Sequence, residues 1–127
     1  MARTACKLSL LVALSFFLAF SAAWADGNEL LNNCNAALRV FDNQSHAVDD
    51  LTKAGFCLGY ISGARDTLIF WQLTSPDAKR VCFPVNVSIP QLIRVVVKYL
   101  NENPKDLNME EIFLVLPAFK NAFPCKD

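Results

Sequence analysis

The chain has 127 residues, with 12 Lys+Arg against 12 Asp+Glu and an apolar fraction of 54%. Much of the apolar excess lies at the start, where Arg3 and Lys7 precede an uncharged run over residues 8–23 and Ala23-Trp24-Ala25 has the small residues of a cleavage site. The run is shorter than the roughly 20 residues that span a bilayer. We therefore predict a cleaved signal peptide over residues 1–25, with an uncleaved anchor as the alternative.

The mature chain, residues 26–127, is predicted to be a single domain. Loss of Arg3 and Lys7 leaves 10 Lys+Arg against 12 Asp+Glu, so the formal net charge becomes −2. A slightly acidic chain without a basic run argues against nucleic acid as a partner, and we expect no membrane contact after cleavage. A domain of this size buries a modest fraction of its surface and usually needs additional support.

The cysteines indicate where that support comes from. Cys34, Cys57, Cys82 and Cys125 remain after cleavage, and four thiols in an exported domain most often form two disulfides, with three possible connectivities. A structural zinc site is the alternative, but the chain has no C-x-x-C motif and His46 is its only histidine. We therefore predict two disulfides and no metal or cofactor.

Hydrophobic spacing predicts an all-α fold, a compact domain of four to five helices. The first helix covers residues 27–41, and the second covers residues 48–73 after a polar turn. Apolar residues in the first helix repeat at steps of three and four, which places them on one face. They are Leu30, Leu31, Cys34, Leu38 and Phe41.

Capping boxes predict the starts of the other two helices. Ser88 with Gln91 three residues later begins the third helix, which runs to about Asn101. Asn108 with Glu111 begins the fourth by the same pattern.

The helix order favours one disulfide connectivity over the other two. Cys34 and Cys57 lie on consecutive helices joined by a short turn, so antiparallel packing would bring them together. Cys82 precedes the third helix and Cys125 follows the fourth, so a bond between them would join both ends of that helical hairpin. We predict Cys34 with Cys57 and Cys82 with Cys125.

Three glycines recur every four residues in the second helix, at Gly55, Gly59 and Gly63. Glycine within a helix costs up to about 1 kcal/mol relative to alanine, so three on one face predict a helix-packing surface that another backbone approaches closely. The preferred interpretation is a neighbouring helix of the same chain. The alternative is a second copy of the protein or a foreign protein.

No sequence motif of an enzyme is present. The chain lacks a phosphate-binding glycine loop, H-E-x-x-H and G-x-S-x-G. His46 lies in a polar turn, and bridging all four mature cysteines would leave no nucleophilic thiol. We predict that the protein has no catalytic residues and is not an enzyme.

Two groups of residues carry a family resemblance. The first comprises Leu30-Leu31-x-x-Cys34 and Cys57-Leu58-Gly59-Tyr60-Ile61-Ser62-Gly63 with Asp66, and the second comprises Cys82-Phe83-Pro84 and the terminal Phe123-Pro124-Cys125. In this order, behind a signal peptide, they resemble the Rap/Tai family of bacterial type VI secretion immunity proteins. Pro117 departs from the uninterrupted last helix expected there and should kink it.

The resemblance implies a periplasmic, all-helical, disulfide-bonded protein that binds and blocks a peptidoglycan amidase effector, often as a homodimer. Steric blocking of a substrate groove needs rigidity and no chemistry of its own. We expect the contact surface in residues 71–84. Its aromatic anchors would be Phe70, Trp71 and Phe83, and its polar rim Asp77, Lys79 and Arg80. Phe70 and Trp71 completing the core is the alternative.

Two other classes of function stay open at this point. One is a small exported chaperone or stress protein, which would bind many clients through apolar surface. The other is an accessory protein of the cell envelope without enzymatic activity. A single tight partner would favour the immunity protein, and binding of unfolded clients would favour the chaperone.

Overall fold

The computed structural model describes residues 26–75 and 81–126, so the predicted signal peptide lies outside the described residues. Four α-helices follow in order: α1 Gly27–Phe41, α2 Val48–Thr74, α3 Ile89–Glu102 and α4 Glu111–Ala122, with a 3₁₀ turn at Pro104–Asp106 before α4. No strand occurs in these two segments, and one isolated bridge joins Asp26 to Glu110. The predicted all-α fold is confirmed.

The start of α1 is fixed by a side-chain cap. The Asp26 carboxylate accepts hydrogen bonds from the backbone N–H groups of Asn28 and Glu29, at 3.0 and 3.1 Å. These bonds satisfy donors that have no partner within the helix. The bond from Glu29 is the main reason that the pKa of Asp26 is lowered.

The core lies between two helical pairs. α1 packs along α2 and also contacts α3, and α3 packs against α4. The fully buried apolar side chains come from all four helices: Leu30, Ile61, Leu92, Ile93, Val96, Leu100, Leu114, Val115 and Phe119. α3 begins with the predicted capping box, in which Gln91 N–H donates to Ser88 Oγ and Ser88 N–H donates to Gln91 Oε1.

Both predicted disulfides are present in the structure. Cys34 is bonded to Cys57 with their Cα atoms 5.1 Å apart, and Cys82 is bonded to Cys125 with a Cα separation of 4.9 Å. The first bond is buried between α1 and α2. The second joins the segment before α3 to the chain after α4, as the helix order predicted.

The predicted start of α4 is wrong by three residues. α4 begins at Glu111 and has no side-chain cap, whereas the sequence pattern predicted a start at Asn108. The preceding chain is bonded to the start of α1, because Gly27 N–H donates to the Met109 carbonyl at 3.0 Å and Asn28 N–H donates to the Leu107 carbonyl at 3.1 Å. These long-range hydrogen bonds hold residues 107–109 out of the helix.

Glycine at position 27 permits this junction between α1 and the chain before α4. A Cβ atom at Gly27 would collide with the Leu114 side chain and lie 2.9 Å from the Leu107 carbonyl oxygen. A larger residue would therefore push α4 away from the start of α1.

An ion pair joins the end of α1 to the start of α2. Arg39 Nη2 lies 2.6 Å from Asp50 Oδ1 and Arg39 Nε lies 3.1 Å from Asp50 Oδ2, which is a two-point contact. The hydrogen bond from Arg39, with a further one from Ser45, lowers the pKa of Asp50 to about 2. The Asp50 carboxylate therefore stabilises the folded state in its ionised form.

We expect Asp50→Asn to make the melting temperature less dependent on pH in acid. A lowered pKa contributes stability that is complete above the unfolded-state value, which is 3.8 for Asp50, and that disappears as the pH falls through about 2. The wild type should therefore melt at a higher temperature than the variant at pH 6, and the difference should shrink between pH 4 and pH 2. Thermal melts across this range test the expectation.

Asp49→Asn is the matched control, because the exposed Asp49 carboxylate bonds only the Lys53 ammonium at 2.7 Å, one turn along α2. Its effect on the melting temperature should be small at every pH. An equal pH dependence for the two variants would show that the Arg39 contact is not the cause.

Candidate protein-binding site

The C-terminal end of α2 presents large apolar side chains to solvent. Phe70 is 68% exposed, Trp71 is 47% exposed and Leu73 is 79% exposed. The alternative that Phe70 and Trp71 complete the core is therefore wrong. Their exposure leaves them available to a partner.

The segment after the undescribed residues 76–80 is held firmly against the helices. Val81 is buried, and its N–H donates to the Gln72 side-chain oxygen at 3.1 Å. Cys82 N–H donates to the Phe123 carbonyl at 2.8 Å, beside the Cys82–Cys125 disulfide. Two hydrogen bonds from backbone N–H groups, one to a side chain and one to a backbone carbonyl, thus fix residues 81 and 82 together with the disulfide.

Phe83 packs against two other aromatic rings. Its ring packs edge-on against Phe119, with centroids 5.2 Å apart at 80°, and lies 5.5 Å from the Phe123 ring. Phe83 is therefore partly buried at the margin of the core, and its contact with a partner stays a prediction. It adds to the attachment of its segment.

The residues that follow Phe83 project from this support. Pro84 is exposed, and Val85 is 97% exposed. A turn closed by a hydrogen bond from Val87 N–H to the Pro84 carbonyl, 3.1 Å long, returns the chain to the cap of α3. We call this projection the 84–85 ridge. The sequence feature that could have indicated this ridge is Pro84, which lies two residues after Cys82 and four before the capping residue Ser88.

A groove lies on each side of the 84–85 ridge. The first has a volume of about 470 Å³ and is lined mainly by the end of α2 and residues 81–85. The second has a volume of about 430 Å³ and is lined by the turn before α3, by the first half of α3 and by Phe123. Leu73 belongs to the first groove, and Val95 to the second.

Each groove has an arginine in its wall. Arg65 lines the first groove; its Nη1 is 3.5 Å from Asp66, and its buried Nε has no hydrogen-bond partner among the described residues. Arg94 lines the second groove, and its Nη2 donates to Asp42 at 2.6 Å. The grooves therefore combine apolar surface with cationic groups, which suits an apolar partner segment that carries a carboxylate.

The structure does not bring all the predicted site residues together. Trp71 lines neither groove. It precedes Leu73 by two residues, so at 3.6 residues per turn the two side chains point about 160° apart around the axis of α2. Asp77, Lys79 and Arg80 lie outside the described residues. Leu73 and Val85 are the exposed apolar residues at the first groove. Leu73 lies inside the predicted segment 71–84 but was not predicted as an anchor, and Val85 lies one residue beyond that segment.

The glycine stripe packs against no other part of the chain that the structure describes. A Cβ atom at Gly55, Gly59 or Gly63 would have no heavy atom of another element within 4 Å, and all three positions are exposed. Among the described residues, no neighbouring helix packs on this face of α2, as the preferred interpretation had expected. The alternative, an external partner, stays a prediction.

The family block in α2 separates into buried and exposed residues. Tyr60 is partly buried against the core, and burial with the nearby Glu111 and Glu110 raises its pKa to about 12. Burial and the carboxylates of Glu29 and Asp26 also raise the pKa of Glu111. Tyr60 therefore stays protonated over the whole physiological pH range, with its ring partly packed against the core.

Asp66, at the end of the same block, is exposed and bonded only to the neighbouring Arg65. Among the described residues, this ion pair between neighbours is the one interaction of the Asp66 side chain, and it does not join separate helices.

Reactive groups are few in the two described segments. No cluster of His, Cys, Asp and Glu there could hold a metal ion, and His46 is exposed in the turn before α2. The four cysteines are all in disulfides. Among the described helices, none is both long enough and apolar enough to cross a membrane.

These features define a class: a small all-helical domain closed by two disulfides, with a rigid exposed ridge and apolar side chains around it. Residues 26–125 match the family of Rap1a immunity proteins. The match covers most of the chain, which belongs to this family. No curated protein and no solved structure shows a significant match.

Proposed function

We propose that this protein is a periplasmic immunity protein that binds a peptidoglycan amidase effector of type VI secretion and blocks it sterically. Membership of the Rap1a immunity protein family over residues 26–125 is the observation that carries the proposal. An immunity protein neutralises an effector by binding it, so the proposal requires no catalytic residue in this chain, and we propose that it has no enzymatic activity.

The proposed compartment follows from the disulfides and the start of the chain. Disulfides form and persist in the bacterial periplasm and are rare in the cytosol. Residues 1–25 have the composition of a signal peptide. Peptidoglycan lies in the same compartment, so an amidase effector would meet the immunity protein there.

The 84–85 ridge is the part of the surface that best suits a steric block. It projects into solvent, yet the residues before it are held by a disulfide, by backbone hydrogen bonds and by the Phe83 ring. A segment that is already ordered loses little conformational entropy on binding. The ridge can therefore enter a groove in an amidase and occupy the place of a peptide stem.

We place the anchors of the contact at Leu73 and Val85. Both are apolar, both are strongly exposed, and both line the groove that contains Arg65. Arg65 can pair with an effector carboxylate through its side chain, which makes only one 3.5 Å contact in the described chain. Trp71 would extend the contact on the opposite side of α2. Asp77, Lys79 and Arg80 stay predicted rim residues.

The double variant Leu73→Ala/Val85→Ala is expected to weaken effector binding at least tenfold, about 1.4 kcal/mol, because it truncates both anchors of an interface that depends on a few residues. Both side chains are exposed, so the melting temperature should change little. Isothermal titration of a purified type VI amidase effector from the source organism measures the affinity.

Phe113→Ala is the matched control for this experiment, since it truncates an exposed apolar side chain on α4, outside both grooves. It should leave the affinity unchanged. Full affinity in the double variant together with a large loss in Trp71→Ala would move the contact to the other side of α2. Binding to many unfolded proteins, and to no amidase, would favour the chaperone.

A further inference from the structure

A further cavity lies away from the 84–85 ridge, between α1, α2 and the start of α4. It has a volume of about 260 Å³. We call it the three-helix cavity. Tyr60 in its wall and Ile69 in the first groove point about 180° apart around α2, so the cavity is separate from that groove. Its lining residues are Glu29, Leu30, Asn33, Phe56, Cys57, Tyr60 and Glu111.

The helices supply the polar and aromatic side chains of the three-helix cavity in pairs. Glu29 and Asn33 are four residues apart on α1, and Phe56 and Tyr60 are four residues apart on α2, so each pair lies on one face of its helix. Glu111 reaches the cavity because the chain before α4 is hydrogen-bonded to the start of α1. The fold therefore brings carboxylates from two helices and aromatic rings from a third to one place.

The negative charge at the three-helix cavity is not balanced by the described residues. None of the ion pairs between these residues includes Glu29, Glu110 or Glu111. Burial raises the pKa of Glu111, and the carboxylates of Glu29 and Asp26 raise it further. The dipole at a helix start favours acidic residues there, which accounts for the sign of the charges. It does not account for a cavity in which two of them lie beside two aromatic rings.

The lining suits an organic cation better than a metal ion. Among the described residues, no cluster of His, Cys, Asp and Glu could hold a metal ion. A guanidinium group is planar, bonds a carboxylate through two parallel N–H groups and stacks on aromatic faces. It can therefore use both kinds of group in this cavity. An ammonium group is a compact point charge that holds its water more strongly.

From this combination we infer that the three-helix cavity binds the side chain of an arginine on the surface of a protein partner. The cavity, at about 260 Å³, is smaller than the roughly 300–1,000 Å³ of sites for drug-sized ligands, so it suits a single side chain. Phe56 in its wall is 68% exposed. A protein that carries the arginine would cover this ring, whereas a small cation would leave it in water. The inference does not depend on the function proposed for the ridge.

An NMR titration of isotope-labelled residues 26–127 tests the inference without an effector. The probe is N-acetyl-arginine methylamide, which has the side chain of a protein arginine and no free carboxylate. The backbone amide signals of Phe56, Tyr60 and Glu111 should shift and saturate with a Kd on the order of 1 mM. The citrulline analogue has the same shape without the charge and should bind at least tenfold more weakly, because it loses the charge-assisted hydrogen bonds. The lysine analogue should also bind more weakly.

Three results of this titration would overturn the inference. They are the absence of a saturable shift at the three-helix cavity, equal affinity for the citrulline analogue, and equal or higher affinity for the lysine analogue. Free L-arginine separates a protein partner from a small-molecule ligand. Its α-carboxylate would approach Asp26 and Glu110, which lie near Glu111 and Tyr60, so it should bind more weakly than the probe. Tighter binding of free arginine would overturn the assignment to a protein.

Two variants test which groups of the cavity hold the probe. Glu29→Gln/Glu111→Gln should raise the Kd at least tenfold, because it removes both carboxylates and keeps the size of the side chains. Phe56→Leu keeps an apolar side chain but removes the ring, and it should raise the Kd about threefold, as expected for an exposed cation–π contact. The dispersion of the amide signals in the same spectra shows whether each variant is folded.

Asp66→Asn/Glu102→Gln is the matched control, since it also removes two negative charges but from exposed positions outside the cavity. It should leave the Kd nearly unchanged, because exposed charges further apart than the screening length of about 8 Å interact weakly at physiological salt. Equal losses of affinity in the two double variants would show that only the net charge matters and would overturn the inference.

Discussion

Replacing Phe119 with alanine is expected to lower the free energy of unfolding by about 3–5 kcal/mol, a large share of the 5–15 kcal/mol that holds a typical domain folded. Phe119 is fully buried on α4, and its ring packs edge-on against Phe83. Truncation would leave a cavity beneath the segment that carries the 84–85 ridge. Urea denaturation of the wild type and the variant measures the change.

The control lies on the same helix. Phe113 is 58% exposed, so Phe113→Ala should change the free energy of unfolding by less than about 0.5 kcal/mol. Similar losses from the two substitutions would contradict the position of the core on α4.

The double variant Cys82→Ser/Cys125→Ser should lose about 2–5 kcal/mol of stability and should also bind an effector about tenfold more weakly. The disulfide closes a loop with a sequence separation of 43 residues, so its removal increases the conformational freedom of the unfolded chain. It also removes the covalent attachment of the residues just before the 84–85 ridge. Binding would then have to order that segment.

Comparison with the other disulfide separates these two effects. Cys34→Ala/Cys57→Ala should lose stability in the same range, because a buried bond with a separation of 23 residues is removed. The ridge keeps its own attachment in this variant. Measured at a temperature where both variants are folded, effector affinity should fall only when Cys82 and Cys125 are replaced. Equal affinity losses would show that the attachment of the ridge is not what matters.

Features encoded by neighbouring residues were predictable from the sequence. Ser88 and Gln91 form a capping box because the two residues alone supply both hydrogen bonds. The disulfide partners followed from helix order, since Cys34 and Cys57 lie on consecutive antiparallel helices and Cys82 and Cys125 lie at the two ends of a hairpin.

Features that depend on distant residues were not predictable in this way. Asn108 and Glu111 have the same local pattern as Ser88 and Gln91, but the backbone at Leu107 and Met109 bonds to the start of α1 and delays the helix. No pattern within the last helix contains that information.

The candidate site also combines features set by neighbouring residues with features set by distant ones. The sequence indicated the right region, around the end of α2 and the segment before α3, because aromatic residues and a proline cluster there. It did not distinguish Phe83, which packs on Phe119, from Val85, which points into solvent two residues later. That choice depends on where the disulfide and α4 place the backbone.

The surroundings of the three glycines in α2 also depend on distant parts of the chain. The spacing of Gly55, Gly59 and Gly63 places the three glycines on one face of α2, and that face is open among the described residues. Whether that face meets the chain itself depends on the packing of all four helices, which spacing within α2 does not contain.

The most direct test of the proposed function is an inhibition assay with the mature chain, residues 26–127, and a type VI amidase effector from the source organism. Peptidoglycan cleavage is followed as the immunity protein is added in increasing amounts, and binding is measured in parallel. The proposal predicts a tight complex and complete loss of cleavage near equimolar amounts. An effector that binds this protein but still cleaves peptidoglycan, or that does not bind it at all, would contradict steric blocking.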